Sequence, residues 1–224
     1  INVQLSNIDN SDEQLQEQEQ EVARLHAVCV EKAAVLTDMR RKSATLVEQE
    51  LSKLLVPLGI PNVRFKVDVS AADLSATGAD KVMFLFSANT STDMQPVSQV
   101  ASGGEIARVM LSLKAMISKA IGLPTIIFDE IDTGVSGRVA EQMAHIMHDM
   151  GAANRQVLCI THLPQIAAAG STHYKVAKHE TEQGTVSTMT QLTDEQRVTE
   201  IAQMLSGSDV SQAAIDNAKS LLAL

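Results

Sequence analysis

Three short stretches of this 224-residue chain carry residue types suited to handling a phosphate chain. The first is Ser102-Gly103-Gly104-Glu105, placed where a segment of helical periodicity begins. Two glycines let a backbone approach a ligand closely, and a helix N-terminus exposes unpaired N–H groups whose dipole favours an anion. Ser102 can donate its hydroxyl to a phosphate. The ordinary alternative is a capping box, with Ser102 as the cap and Glu105 as its acidic partner. The second stretch is Ile126-Ile127-Phe128-Asp129-Glu130, an apolar run that delivers two adjacent carboxylates. Neighbouring side chains leaving a strand diverge, so one carboxylate can hold Mg²⁺ while the other polarises an attacking water. Here the alternative is a strand followed by a solvated acidic turn that includes Asp132. The third is Thr161-His162, after another apolar run, where a histidine can donate a hydrogen bond to a terminal phosphate or help position a water. A lone histidine in such a place is more often structural.

Elements must bring these stretches together. Ile106, Val109, Met110, Leu113 and Ile117 recur at helical spacing and predict a helix from just after Gly104 to residue 121. Residues 125–128 read as a buried strand and 156–160 as a second, fully apolar one, with a helix over 139–150 between them. A polar residue at the C-terminal end of each strand is where ligands gather in α/β sheets. Gly104 and Asp129 lie 25 residues apart, and Glu130 and His162 lie 32 apart, so these elements fall between the candidate residues. Upstream, the alternation of residues 63–69 predicts a half-buried strand, and 83–86 another, after a turn at 77–80. Downstream, strands at 174–177 and 185–192 flank a turn at Gln183-Gly184, and helices at 195–205 and 211–222 follow.

The first quarter of the chain is different. After a polar lead-in over residues 1–10, a long helix is predicted from 11 to 56, with no Gly or Pro inside it. Leu15, Val22, Cys29 and Leu36 repeat every seven residues, and Leu25, Met39 and Leu46 fill much of a second seam. Gln18, Lys32 and Ser43 interrupt the pattern, which reads as an imperfect coiled-coil arm. Arg40-Arg41-Lys42 reads as a solvated face of that arm. Pro57, Gly59 and Pro61 stop the helix.

Singly the three stretches are ordinary, but their order and spacing resemble the C-terminal half of an ABC-type ATPase head. The matching parts are a signature motif, a Walker B strand with its adjoining glutamate, and a switch histidine. Val100-Ala101-Ser102-Gly103-Gly104-Glu105-Ile106-Ala107-Arg108, Phe128-Asp129-Glu130-Ile131-Asp132-Thr133-Gly134-Val135-Ser136-Gly137 and Ile160-Thr161-His162-Leu163-Pro164-Gln165-Ile166 narrow it further. They are similar to RecN, a family of bacterial SMC-like proteins of DNA double-strand-break repair. The resemblance covers the chain closely from about Val97 onward. It implies that Asp129 holds Mg²⁺, that Glu130 is the general base and that His162 is the switch histidine. Ser102, Gly103, Gly104 and Glu105 would form the signature that meets the ATP of an opposing head. Ser136 falls at the D-loop position, where many ABC relatives carry Asp.

No G-x-x-x-x-G-K-[ST] occurs in the chain, so the phosphate-cradling loop and its lysine are absent from it. In the family that loop lies in the N-terminal half of the head, ahead of the coiled coil. The expected architecture is α/β: a coiled-coil arm segment over 1–58 and the C-terminal half of an ABC-type head over 59–224. The chain, beginning at Ile1, is expected to be a segment of a longer protein and inactive alone. The implied cofactors are ATP and Mg²⁺. The implied partners are the N-terminal half of the same protein, a second head in an ATP-dependent homodimer, and DNA gripped through the complete assembly. Alternatives are a structural tethering module in which hydrolysis is incidental, or another ABC-type repair ATPase.

Composition sets outer limits. A formal charge of −9 argues against a domain that simply coats nucleic acid, and four Phe, one Tyr and no Trp leave little to build base-stacking platforms. No apolar run is long enough to cross a bilayer, so no membrane partner is expected. Cys29 and Cys159 lie far apart with no CxxC, which fits a reducing cytoplasm, and the resemblance implies a bacterial one with the protein at the nucleoid. His145 and His148 lack the further ligands that a zinc site needs.

Overall fold

The computed structural model describes the backbone of residues 2–99, 103–152, 155–181 and 184–223, and the side chains among them from residue 14 onward, Thr181 excepted. The first element, α1 (Asn2–Leu55), runs for 54 residues and takes in the segment expected as a lead-in. Polar residues of middling propensity cost only a few tenths of a kcal/mol each, and without Gly or Pro nothing halts propagation. The helix ends where Pro57 and Gly59 force the chain round. Gly59 adopts a φ of +82°, and the Ile60 N–H bonds back to the Leu55 carbonyl at 3.2 Å. Leu51, Leu55 and Leu58 are fully buried there, in one core with Ile60, Phe65, Phe86, Leu111, Phe128 and Met143. Further out, Leu15, Val22, Leu25, Cys29, Met39 and Leu46 are all exposed, whereas Leu36 is half-buried beside Gly78 at the hairpin tip.

An antiparallel hairpin of β1 (Arg64–Ser75) and β2 (Gly78–Ser87) packs against α1, with the short β3 (Gln95–Pro96) along β2. Phe65 lies opposite Phe86 and Val67 opposite Phe84, which puts the apolar half of each strand on one face. Both strands outrun their expected limits, because the polar stretch beyond Val69 keeps pairing as an exposed ribbon. The turn at its tip is tighter than expected: Gly78, at φ +104°, already pairs with Ser75, and Ala79 and Asp80 belong to β2.

The arm grips this hairpin with polar contacts. The Thr37 hydroxyl donates to Asp80 at 2.8 Å, Arg40 reaches the same carboxylate at 3.0 Å, and Arg40 also donates to the Thr77 carbonyl at 2.7 Å. Nearer the core, Glu48 accepts the Val67 N–H at 2.8 Å. Arg40 is therefore not part of a free basic face. Burial pushes the Asp80 carboxyl up, but the Thr37 hydroxyl and the Arg40 guanidinium outweigh it and hold the group below its ordinary value.

The remaining chain alternates: α2 (Gly103–Ile121), β4 (Thr125–Asp129), α3 (Gly137–Ala152), β5 (Gln156–Ile160) and the short α4 (Pro164–Ala169). β4 and β5 pair in parallel, from Thr125 opposite Gln156 to Asp129 opposite Ile160. Ile126 and Phe128 enter the main core. The other face departs from the expected burial, since Ile127, Leu158 and Ile160 are 56%, 45% and 57% exposed. The helices cover one face only. A final unit comprises the hairpin β6 (Tyr174–Thr181) and β7 (Gly184–Gln191), then α5 (Asp194–Ser206) and α6 (Gln212–Leu222). Thr193 and Gln196 close a reciprocal capping box on α5, and a small core of Ala168, Ile201, Ala202, Ala214 and Ala218 ties α4, α5 and α6 together.

The hairpin grip yields a pH-dependent stability. A carboxyl held below its unfolded value stabilises the fold above about pH 4 and loses that contribution as pH falls further. Asp80→Asn is expected to lower the melting temperature at pH 7. The gap to the wild type should shrink on acidification below about pH 4, as thermal unfolding at a series of pH values will show.

Candidate functional site

The parallel, in-register pairing fixes where the candidate side chains emerge. With Asp129 opposite Ile160, Glu130 leaves β4 and Thr161-His162 leaves β5 at the same end of the two-stranded sheet. The Glu130 N–H donates to the Ile160 carbonyl at 3.1 Å, carrying the pairing one residue beyond β4. Glu130 itself sits at φ +46°, the one non-glycine residue with positive φ among those described. That is the left-handed region, where a Cβ costs roughly 1–2 kcal/mol, so the turn holds the residue there against its preference. Asp129 and Glu130 are both exposed, and no hydrogen bond or ion pair engages either carboxylate among the described residues. His162 is also open, its side chain 67% exposed.

The turn after Glu130 folds back on itself. Thr133 donates its hydroxyl to the Glu130 carbonyl at 3.0 Å, and the Val135 N–H bonds to the Asp132 carbonyl at 3.1 Å. This brings the Thr133 and Gly134 carbonyls beside Gly104 at the start of α2, where a Cβ would stand 3.4 Å and 3.6 Å from their oxygens. Gly104 therefore lies against the Thr133–Gly134 segment. Glu105 is half-buried in the first turn of α2, whereas Ser136 is exposed before α3. Ser102, and with it the expected capping box, lies outside the described residues.

Asp132 departs from the alternative of a solvated acidic turn: its side chain is 1% exposed, while Asp129 and Glu130 are open to solvent. Oδ2 accepts the Thr161 hydroxyl and, at 3.3 Å, the His162 N–H, while His162 Nδ1 stands 3.6 Å away. Oδ1 is buried without a hydrogen-bond partner among the described residues. Thr161 in turn accepts the Leu163 N–H at 3.0 Å, so its hydroxyl links Asp132 to the approach to α4. In the sequence Thr161 stands out only as the neighbour of His162 and Asp132 only as part of a solvated turn, neither with a role of its own. The usable signal was a threonine in register just past β5, facing a turn with a third acid. Nearby, burial and the Asp132 charge push the Cys159 thiol up to about 12, which keeps it protonated and unreactive.

The donor set suits Mg²⁺ rather than a caged metal. Among the described residues no group of three or more His, Cys, Asp or Glu could hold an ion. A free carboxylate such as Asp129 fits a cation that takes one or two carboxylates and fills its other positions with phosphate and water.

The fold is that of SMC head domains. Two solved structures share the fold. The Smc head domain with a coiled coil and joint from Pyrococcus yayanosii aligns with a TM-score of 0.58 at 19% identity, over 75% of this chain and 30% of that one. The Smc head with an extended coiled coil from Pyrococcus furiosus, bound to the C-terminal domain of ScpA, gives 0.56 at 19% identity, over 79% and 41%. The chain belongs to the RecN family of DNA repair proteins. It is 35% identical to the DNA repair protein RecN of Vibrio cholerae over 221 residues, which is 98% of this chain. It is 35% identical to that of Bacillus subtilis over 238 aligned residues, and 39% to that of Deinococcus radiodurans over 208. The chain spans about 40% of the length of these relatives. No family model matches it.

The strained turn can be tested by itself. Glu130→Gly should leave thermal stability equal or higher, because glycine adopts positive φ freely, whereas the β-branched Glu130→Val should cost about 1 kcal/mol. Equal destabilisation by both in denaturant titrations would contradict the strain.

Proposed function

We propose that this chain is the C-terminal lobe, with part of the coiled-coil arm, of a RecN-type head that binds and hydrolyses ATP during DNA double-strand-break repair. The observation that supports this reading is the shared end of β4 and β5, from which Asp129-Glu130 and Thr161-His162 leave together, with the turn after Glu130 reaching Gly104 of α2. In this reading Asp129 holds Mg²⁺, which neutralises charge on the phosphates when bound. Glu130, exposed and unpaired, orients a water and accepts its proton. His162 donates a hydrogen bond to the terminal phosphate. Gly103 and Gly104, with Ser102 and Glu105, meet the nucleotide of a second head, and Ser136 lies at the contact between heads. A general base of this kind contributes roughly 10²–10⁴ in rate.

Two surfaces support the proposed partners. Parallel strands are ordinarily covered on both faces, yet here Ile127, Leu158 and Ile160 stand uncovered. Burying each would gain about 1 kcal/mol, and the N-terminal half of the same head is the layer proposed to do so. The exposed heptad stripe of α1 would pair with the outgoing strand of the arm. DNA is then gripped by the complete assembly in a bacterial cytoplasm, at the nucleoid. No helix among the described residues is long and apolar enough to cross a membrane.

The test is made on the full-length protein, with both halves of the head present. Glu130→Gln should cut ATP turnover about 100-fold or more while leaving nucleotide binding and ATP-driven pairing of heads intact. The chain alone should show no turnover until the N-terminal half is added. Wild-type turnover by Glu130→Gln would remove the proposed base, and full repair in cells without hydrolysis would favour a purely tethering role.

A further inference from the structure

Asp132 is the costliest side chain at this end of the sheet. An ionised carboxylate this deeply buried is tolerated only with strong compensating partners. One oxygen is without a hydrogen bond among the described residues, and every contact to the other comes from a single segment, the loop after β5. A turn that needed only to fold could manage with a small or solvated residue. Among the described residues, this carboxylate meets only Thr161 and His162.

We propose that Asp132 is a positioning residue for hydrolysis, tying the turn that carries Glu130 to the loop that carries His162. The proposal rests on the roles given above to those two residues. Two links then flank Glu130. The Glu130 N–H binds the Ile160 carbonyl, and Asp132, two residues further on, binds the Thr161 hydroxyl and the His162 N–H. A turn fixed on both sides of its central residue cannot swing away from the neighbouring loop without breaking charge-assisted bonds, which are stronger than neutral ones. The same tie holds Glu130 at its unfavourable φ. The imidazole is also oriented. Nδ1 is the ring nitrogen near the carboxylate, at a distance too long for a hydrogen bond but within electrostatic reach, which leaves Nε2 for a ligand. Thr161 acts as the relay, donating to Asp132 while accepting from Leu163.

The experiment uses the full-length protein and two kinds of readout. Asp132→Asn can still accept through its amide oxygen, but it loses the charge and buries an unpaired NH₂. Thr161→Val keeps the shape and removes the hydroxyl, while Thr161→Ser restores it. Both Asp132→Asn and Thr161→Val should lower kcat about tenfold with KM for ATP changed less than about twofold, and Thr161→Ser should stay near wild type. The double variant should be no worse than the more affected single, because both remove the same tie. In nucleotide-free protein, amide hydrogen exchange over residues 130–135 and 161–163 should quicken in both variants. Unchanged kcat, a change in KM alone, independent multiplication of the two effects, or unchanged exchange would each overturn the proposal. Glu130→Gln, run alongside, separates the two failures. If it turns over ATP normally, the hydrolytic reading fails, and the exchange data alone decide whether Asp132 joins the two segments.

Discussion

Asp129 faces Ile160 because β4 and β5, five residues each, pair in parallel without a slip, and the arrangement of the site follows from that register. A shift of one residue would exchange the two faces of a strand, sending Phe128 out of the core and Ile127 into it. It would also withdraw the Ile160 carbonyl from the Glu130 N–H and carry Thr161 away from Asp132. The register is held by apolar side chains below and by two hydrogen-bonded links above. The core thus sets the alignment, and the links beyond the strand ends hold the turn and the loop in place.

Much of this could be read from residue types. Apolar runs closed by Asp129-Glu130 and Thr161-His162 marked the strands and the end at which chemistry would gather, because strand length and flanking polarity are local properties. Asp132 could not be read in the same way. Its burial depends on Thr161, 29 residues away, and an acid after an acid looks solvated until something buries it. The bare face of β4 and β5 was equally hidden. A strand apolar on both sides announces two coverings, and only the fold shows which one this chain supplies. The extent of α1 was underestimated for a simpler reason: a polar segment without Gly or Pro offers no stop signal, so composition alone does not end a helix.

That bare face and most of the stripe of α1 are apolar surfaces left open among the described residues. Each is an apolar surface with regular spacing, one at the sheet period and one near the heptad period. A chain of this size that evolved to stand alone would present charge at such positions. The matched relatives, more than twice as long, have the extra chain from which both coverings can come.

The arm and the site are joined by packing as well as by sequence. Leu51, Leu55 and Leu58 at the root of α1 share one core with Phe128, the residue before Asp129. Further out, Thr37 and Arg40 hold the tip of the β1–β2 hairpin, and Glu48 holds its base. A helix anchored at its end and gripped along its flank cannot tilt freely on the head. Movement at its root must either carry β4 with it or open voids, and each void the size of a methyl group costs about 1 kcal/mol. Small concerted shifts are therefore cheaper than independent ones. The strand bearing Asp129 and the base of the arm are thus coupled through one shared core.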